Sequence, residues 1–472
     1  MLFSSPTFLY AFLPAVLFFY FVVLRKSRKA QNVFLLLASI FFYAWGEPTF
    51  VLVMIGSIIM NWLFGLLADK YRDDRIRGRL VIAFDVLLNL SILFVFKYLM
   101  FTLGIINKVT GAGISIPTIV LPIGVSFFTF QAMSYVIDVY RGRGKVQKNI
   151  LHVGLYISLF PQLIAGPIVR YETIADQITD RHETVQGFFD GFARFIVGLA
   201  KKVLLANSFA ILADAAFDRL AAGGSVSVMF GWLGAIAYTF QILFDFGGYS
   251  DMAIGLGGMF GFHFLENFDY PYISTSVTEF WRRWHMSLGS WFRDYVYIPL
   301  GGSRVKKPRL IFNLFVVWFL TGLWHGANFT FIIWGMMYFI LLVFEKLTGY
   351  DKKGGRCVKA LKWIITMLFV VLGWVIFRSD SVENAIGYLG SMFGLAGNSF
   401  SDGFFRGYLA QNGLLLILGV IASTPIVRWL KGKTEGKLWA DILRTVFLIL
   451  LFVLSVASLV SNAYNPFIYF NF

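Results

Sequence analysis

The sequence has one cysteine among its 472 residues, Cys357, so it can form neither an intrachain disulfide nor a cysteine-rich metal site. Its five histidines show no His-Glu-x-x-His spacing, which removes the zinc-binding helix of the metalloproteases. Gly432-Lys433-Thr434 matches only the end of the nucleotide-binding loop Gly-x-x-x-x-Gly-Lys-Ser/Thr, because Val427 occupies the position of its first glycine. The sequence therefore gives no support for ATP-driven transport. The Gly-x-Ser-x-Gly nucleophile elbow is missing too. We therefore expect no bound metal or cofactor.

Charged residues are also scarce. They make up 14% of the chain and apolar residues 58%, whereas an average soluble domain has about 25% and 45–50%. A water-soluble fold could not bury this much apolar surface, so lipid must be the solvent for much of the chain. The formal net charge of +15 does not indicate nucleic-acid binding, because the lysines and arginines occur in short clusters between apolar runs.

About a dozen apolar runs approach the roughly 20 residues needed to cross a bilayer. They are Phe8–Leu24, Val33–Trp45, Thr49–Ala68, Leu80–Ile105, Ile119–Val139, Val203–Phe217, Val226–Phe244, Leu310–Trp324, Phe329–Phe344, Trp363–Phe377, Leu414–Leu430 and Ile442–Leu459. The first run lacks a preceding basic region and a following cleavage site, so we expect a retained span rather than a signal peptide. The pattern predicts an all-α, polytopic membrane bundle of roughly 11–12 spans with re-entrant and interfacial helices. We expect residues 1–472 to form one transmembrane domain.

Basic clusters alternate along the chain. Arg25–Lys29, Arg72–Arg79 and Arg141–Lys145 follow the first, third and fifth runs, whereas the loops 46–48 and 111–117 carry few basic residues. Because short cytoplasmic loops are enriched in lysine and arginine, this alternation predicts a single topology with both termini outside the cytoplasm.

Two stretches do not resemble simple spans. Leu151–Val169 is apolar but contains Pro161, Gly166 and Pro167, which break helices. Irregular backbone at membrane depth is tolerated only where protein or a water-filled cavity surrounds it. Gly247–Pro308 is a long stretch rich in Trp, Tyr and Gly, which we expect on the cytoplasmic side.

The motif Trp324-His325-Gly326-Ala327-Asn328 joins two apolar runs, so His325 is expected to lie deep in the membrane. Ionisable residues there are costly and usually face the bundle interior or a wet cavity. One interpretation is a structural histidine that bonds a neighbouring helix. The other is catalytic, because imidazole can take a hydroxyl proton near neutral pH and the small neighbours would let a substrate approach.

A second candidate region is Ser276–Gly302. Ser276 and Glu279 match a capping box, which predicts a helix start. A continuous helix would place Trp281, Trp284, Leu288 and Trp291 on one face, Glu279, Arg282, Arg283 and Arg293 on the other, and His285 between them. Such a helix suits an interfacial anchor without chemistry. Alternatively, its basic residues bind the phosphates of a cytosolic cofactor.

The third region is Phe244–Ala253, where Asp245 and Asp251 could orient or charge-balance basic residues. Glycines follow at regular intervals, and we interpret them as sites of close helix packing rather than a phosphate cradle.

With these motifs the chain resembles the membrane-bound O-acyltransferase family, specifically its bacterial alginate-acetylation branch. The resemblance covers nearly the whole chain. It runs through Pro122–Gln131, Phe160–Pro167, Gly198–Lys202, Tyr249–Asp251, Phe280–His285, Arg293–Gly302, Thr321–His325 and Gly373–Arg378.

The resemblance implies a helical bundle around a central funnel, with the family's histidine at His325 and its second polar position at His285. It also implies transfer of an acetyl group from a cytosolic thioester, acetyl-CoA, toward a polysaccharide hydroxyl, with an extracytoplasmic transferase of the SGNH type as partner. His325 would act as general base or acyl relay. The expected substrate-binding residues are Tyr249, Asp251, Trp281, Arg282, Arg283, Trp284, Trp324 and Asn328.

Other functions stay open on the sequence alone. The first is D-alanyl transfer to teichoic acids from a carrier-protein thioester, within the same superfamily. The second is a glycan or lipid transporter, although no two similar halves are evident. The third is a scaffold that tethers secreted enzymes, which would have no need of a buried histidine.

Overall fold

The computed structural model describes residues 1–352, 355–461 and 464–468, and every regular element among them is a helix. The predicted all-α class is therefore confirmed. Eight of the described helices are long and apolar enough to cross a membrane. They are Val51–Lys70, Arg75–Thr110, Val185–Ala221, Val228–Met259, Phe329–Thr348, Cys357–Arg378, Gly403–Ala422 and Leu438–Ser461. The chain is thus a multi-pass membrane protein.

The remaining described helices are shorter or less apolar. They are Phe8–Val23, Arg28–Ala44, Val125–Tyr140, Ile150–Ser158, Tyr171–Ile174, Asp176–Ile178, Pro271–Ile273, Val277–Arg283, Met286–Phe292, Arg293–Tyr297, Lys307–His325, Tyr350–Lys352, Val382–Met392 and Ile426–Lys433.

Each predicted apolar run overlaps a helix, but some boundaries were wrong. The run Val203–Phe217 is only the second half of Val185–Ala221, because the charged residues in its first half hid that part of the helix. The run Leu414–Leu430 is divided into Gly403–Ala422 and Ile426–Lys433, and Pro425 lies at the break.

The helices form two compact units. The first comprises Met1–Phe195 and Ser250–Leu265, and the second comprises Ile196–Tyr249 and the described part of Glu266–Phe472. The chain changes unit three times, and two of these changes, after residues 195 and 249, fall inside continuous helices. The single-domain assignment stays a prediction.

The first unit is built around Val125–Tyr140, which is buried from Val125 to Val139. A helix buried on all sides needs small neighbours, and Gly65 supplies one: a Cβ there would lie 2.4 Å from the Tyr135 ring. At another point of this unit, Glu183 accepts hydrogen bonds from Arg28 and Tyr20.

The irregular stretch predicted within Leu151–Val169 is confirmed. Helix Ile150–Ser158 stops before Pro161, and the chain stays non-helical and buried through Val169. Ile164 adopts a left-handed backbone with φ 78°, which is strained for a β-branched residue. Surrounding protein therefore covers this irregular backbone, as burial at membrane depth requires.

In the second unit, helices Lys307–His325 and Phe329–Thr348 pack against each other as a hairpin, here called the histidine hairpin. Two glycines allow their backbones to approach. A Cβ on Gly322 would lie 2.6 Å from the Phe331 carbonyl oxygen, and one on Gly335 would lie 2.5 Å from the Trp318 carbonyl oxygen. Small residues of this kind are typical of close helix pairs in membranes.

The continuous helix predicted from Ser276 was wrong. The structure has two short helices, Val277–Arg283 and Met286–Phe292, separated at Trp284 and His285; together they are called the interrupted segment. His285 has a left-handed backbone with φ 46°, which ends the helical path. Both residues at the break are buried, so this is no amphipathic helix with its aromatic face toward lipid.

Candidate functional site

His325 ends the first helix of the histidine hairpin and is 4% exposed. Aromatic rings surround its imidazole. The ring centroids of Trp324 and Trp334 lie 5.0 Å away, and that of Phe377 lies 5.1 Å away. The hairpin thus carries the imidazole into an apolar, buried environment, as the sequence predicted from its place between two apolar runs.

His285, in the interrupted segment, brings a second imidazole to the same place. Its ring centroid lies 6.5 Å from that of His325, 5.8 Å from Trp324 and 4.6 Å from Phe246. Each imidazole can bond an atom at about 2.6–3.2 Å, so one oxygen or sulfur atom between the rings can be within reach of both. The two histidines, 40 residues apart in sequence, therefore form a pair.

His285 is neutral and has hydrogen-bonding capacity to spare. It is 1% exposed, and neither Nδ1 nor Nε2 bonds another described residue. Burial lowers the pKa of His285, which lies outside the spanning helices, to about 3. Because buried polar groups are nearly always hydrogen-bonded in native proteins, these two nitrogens are available to bond a substrate.

Further polar atoms without a partner among the described residues lie in the same aromatic cluster: Trp281 Nε1, Trp334 Nε1 and the Tyr338 hydroxyl. The Trp281 ring is 5.5 Å from Trp334 and 4.9 Å from Tyr338. Together with His285, they supply buried donors and acceptors in otherwise apolar walls, the composition typical of a small-molecule site.

Trp284 and Trp324 also belong to this cluster. Trp284 is 3% exposed and packs 4.8 Å from Trp374, and Trp324 is 5% exposed between the two histidines. The sequence named both as substrate-binding residues. The structure brings them to the histidine pair, while their contact with a substrate stays a prediction.

The two arginines before the break differ in environment. Arg283 pairs with Glu279 at 3.1 Å and with Asp269 at 3.2 Å, and Arg428 pairs with the same Asp269 at 3.1 Å. Arg282 is exposed and pairs with no described residue. Three arginines against two carboxylates leave one positive charge, which suits attraction of a phosphate-bearing donor.

Asn328 has a structural task at the turn of the histidine hairpin. Its side-chain oxygen accepts the Thr330 N–H at 3.1 Å, and its amide donates to the Asp380 carbonyl at 2.7 Å. An N-cap asparagine satisfies a helix end that would otherwise lack partners. Asn328 therefore caps the second helix of the hairpin, a role that the sequence did not reveal, and its contact with a substrate stays a prediction.

Tyr249 is buried beside the end of the described chain, with its ring 4.9 Å from that of Phe467. On the same helix, Asp245 pairs with Lys202 at 2.9 Å and accepts the Ile468 N–H at 2.8 Å. Asp245 therefore charge-balances a basic residue, which the sequence had suggested.

Asp251 belongs to the other unit, where its Oδ1 accepts bonds from Arg194 Nε at 2.9 Å and Nη2 at 2.8 Å. It too balances a basic residue, and its substrate-binding role stays a prediction. In the described ranges, no group of three or more His, Cys, Asp and Glu side chains could hold a metal ion.

Sequence reasoning missed the aromatic residues that distant segments bring to the histidines, namely Phe246, Trp334 and Phe377. A partial signal existed: Trp334 and Tyr338 stand four residues apart on the helix after His325, so they share one face. Their contact with the interrupted segment depends on tertiary packing and leaves no local pattern.

Comparison with known proteins points to one family. The model of the membrane-bound O-acyltransferase family matches residues 145–379, which include both histidines. A probable alginate O-acetylase AlgI of Pseudomonas putida is 39% identical over 498 residues, covering 100% of both chains. A peptidoglycan O-acetyltransferase of Helicobacter pylori is 35% identical over 84% of this chain and 81% of its own. A teichoic acid D-alanyltransferase of Bacillus subtilis is 29% identical over 54% of this chain and 68% of its own.

Proposed function

Because this chain belongs to the membrane-bound O-acyltransferase family, we propose that it moves an acetyl group from cytosolic acetyl-CoA toward a hydroxyl of an extracytoplasmic polysaccharide. The chain is an O-acyltransferase of the bacterial cell membrane. The observation that carries the proposal is the pair of buried imidazoles, 6.5 Å apart, within a cluster of aromatic rings. The names of the alginate and peptidoglycan relatives support acetyl as the group and a polysaccharide as the acceptor.

His325 acts as the general base. Its imidazole takes the proton of the acceptor hydroxyl while the oxygen attacks the thioester carbonyl carbon. The carbon–sulfur bond then breaks, and the leaving thiolate takes the proton back from the imidazolium. General-base catalysis of this kind contributes about 10²–10⁴-fold.

His285 positions the donor. Its neutral ring can bond the thioester, and Arg282 and Arg283 attract the donor's phosphates. Holding donor and acceptor between two fixed imidazoles raises their effective concentration. The low exposure of both histidines, 1% and 4%, keeps water from hydrolysing the thioester.

The acceptor side involves a second protein. We propose that an extracytoplasmic transferase of the SGNH type supplies the acceptor hydroxyl of this step, receives the acetyl group on it and then passes the group to a hydroxyl of the polysaccharide. Recovery of label on this partner before the glycan is the expected order of events.

The catalytic role of His325 is tested by replacing it with alanine. Membranes containing His325→Ala should transfer label from radiolabelled acetyl-CoA at least about 100-fold more slowly than wild type, because the general base is gone. The matched control is His263→Ala, since His263 is exposed and lies outside the cluster. Equal rates for His325→Ala and wild type would make His325 a structural histidine.

The identity of the donor needs its own test. Wild-type membranes should transfer label from acetyl-CoA and not from a D-alanyl thioester on a phosphopantetheine carrier protein. The reverse preference would favour the teichoic acid reaction. Transfer from neither, together with uptake or flipping of a glycan, would favour a transporter.

A further inference from the structure

Glu345 is a buried carboxylate with an unusual task. It lies near the end of helix Phe329–Thr348 and is 3% exposed. Its two carboxylate oxygens accept the backbone N–H groups of Val277 at 2.7 Å and Thr278 at 2.8 Å. These are the first two N–H groups of helix Val277–Arg283, which no bond within the helix can satisfy.

The other bonds at this helix start are local. Ser276 Oγ accepts the Glu279 N–H at 3.0 Å, as in a capping box, and the Glu279 carboxylate accepts the Thr275 N–H at 2.9 Å. These local bonds define the helix start but do not fix it in space. Glu345, 68 residues from Val277, attaches the start to the histidine hairpin.

The second helix of the histidine hairpin, Phe329–Thr348, makes three contacts along one face. Trp334 packs 5.0 Å from His325, Tyr338 packs 4.9 Å from Trp281, and Glu345 binds the start of the interrupted segment. Steps of four and seven residues keep these side chains on the same face. Trp334 and Glu345 are about 16 Å apart along the axis at 1.5 Å per residue.

We propose that Glu345 is a positioning residue that sets the placement of His285 relative to His325. It fixes the start of helix Val277–Arg283 on the hairpin that carries His325, and the break at His285 follows directly at the end of that helix. Because the helix is only seven residues long, a shift at its start is transmitted to the break. This inference rests on the function proposed above and assigns Glu345 no contact with substrate.

The test compares two substitutions at this position. Glu345→Ala removes both acceptors and should lower the turnover of labelled acetyl-CoA about 10–100-fold per folded molecule, since a displacement of about 1 Å can cost about 100-fold. Glu345→Gln keeps the shape and one acceptor oxygen, so it should recover part of the lost turnover.

The matched control is Asp402→Ala. Asp402 caps helix Gly403–Ala422 by accepting the Phe405 N–H at 2.8 Å, and Phe404 and Tyr408 of that helix stack on Phe230 rather than on either histidine. Its loss should lower thermal stability without lowering turnover per folded molecule. This separates positioning from stability, because a residue that only stabilises the fold would behave like Asp402.

The outcomes distinguish the two proposals. Wild-type turnover in Glu345→Ala, or in Glu345→Gln if the alanine variant does not fold, would overturn the role of Glu345 alone. Loss of turnover in Glu345→Ala with partial recovery in Glu345→Gln supports it. No transfer by wild-type protein would overturn the proposed function, and the role of Glu345 with it.

Discussion

The backbone of His285 adopts a conformation that a non-glycine residue seldom tolerates. Its φ of 46° falls in the left-handed region, and its side chain is 1% exposed. Strained residues of this kind persist when the surrounding structure holds them, and they cluster at functional sites. The strain is consistent with a residue kept in place for chemistry.

Substitution of His285 should leave the pH dependence of transfer in place. Because burial lowers the pKa of His285 to about 3, the ring is neutral at every pH above about 4 and does not titrate in the working range. Asparagine tolerates a left-handed backbone. The His285→Asn variant should therefore transfer label more slowly than wild type, but the pH at which its rate falls on acidification should be the same, between about pH 5 and 9. The measurement is the rate of label transfer against pH for both proteins. A shift in the pH at which the rate falls would contradict the conclusion that His285 is neutral throughout this range.

Among single residues, the burial of His325 could be predicted from the sequence, whereas the side chains that surround it could not. A histidine between two apolar runs indicates a buried imidazole by itself. The burial of His285 could not be predicted from the sequence, because it depends on Phe246 and Trp324, which belong to other segments. Contacts between distant segments leave no periodic pattern.

The histidine hairpin depends on the close approach of its two helices. Gly335 faces the Trp318 carbonyl oxygen, and backbone atoms cannot move aside as a flexible side chain can. A methyl group at this point would push the helices apart and displace His325 from Trp334.

Gly335→Ala should therefore destabilise the protein and slow transfer. Overpacking of this kind costs about 1–3 kcal/mol. The control is Gly407→Ala, since a Cβ there meets nothing within 4 Å and alanine is the better helix former. Thermal unfolding in detergent checks both. A Gly335→Ala variant as stable as Gly407→Ala would refute the close-packing account.

The interrupted segment shows which features of an element are local. The capping box at Ser276 and Glu279 was predictable, because it depends on residues three positions apart. The break at Trp284 and His285 was not, since no proline or glycine marks it. Bonds to Asn267 hold the second helix, whose Met286 N–H donates to the Asn267 carbonyl at 3.0 Å. Tertiary packing thus overrides local helix propensity here.

Across the whole molecule, hydropathy located the helices and mistook some of their ends. Every predicted run overlaps a helix because apolar length is a local property. The first half of Val185–Ala221 was missed because Asp190 and Arg194 interrupt its apolar pattern, and Arg194 is paired with Asp251. The partner of Arg194 is 57 residues away in the sequence, so hydropathy alone could not show that its charge is neutralised within the protein.

The predicted topology can be tested with the native cysteine. Cys357 is exposed and follows a basic loop, so it should face the cytoplasm. A membrane-impermeant maleimide should label it in inside-out vesicles and not in intact cells. The control is Cys357→Ser combined with Ala112→Cys, whose new thiol in the exposed loop 111–117 should show the opposite pattern. Labelling of Cys357 from outside would invert the topology.

The most direct test of the account supplies radiolabelled acetyl-CoA only at the cytoplasmic face of sealed vesicles that contain the protein and its extracytoplasmic partner. The account predicts label on the partner or the glycan at the opposite face with wild type, and at least about 100-fold less with His325→Ala. Label that stays on the cytoplasmic side with wild type, or crosses equally with His325→Ala, would contradict it.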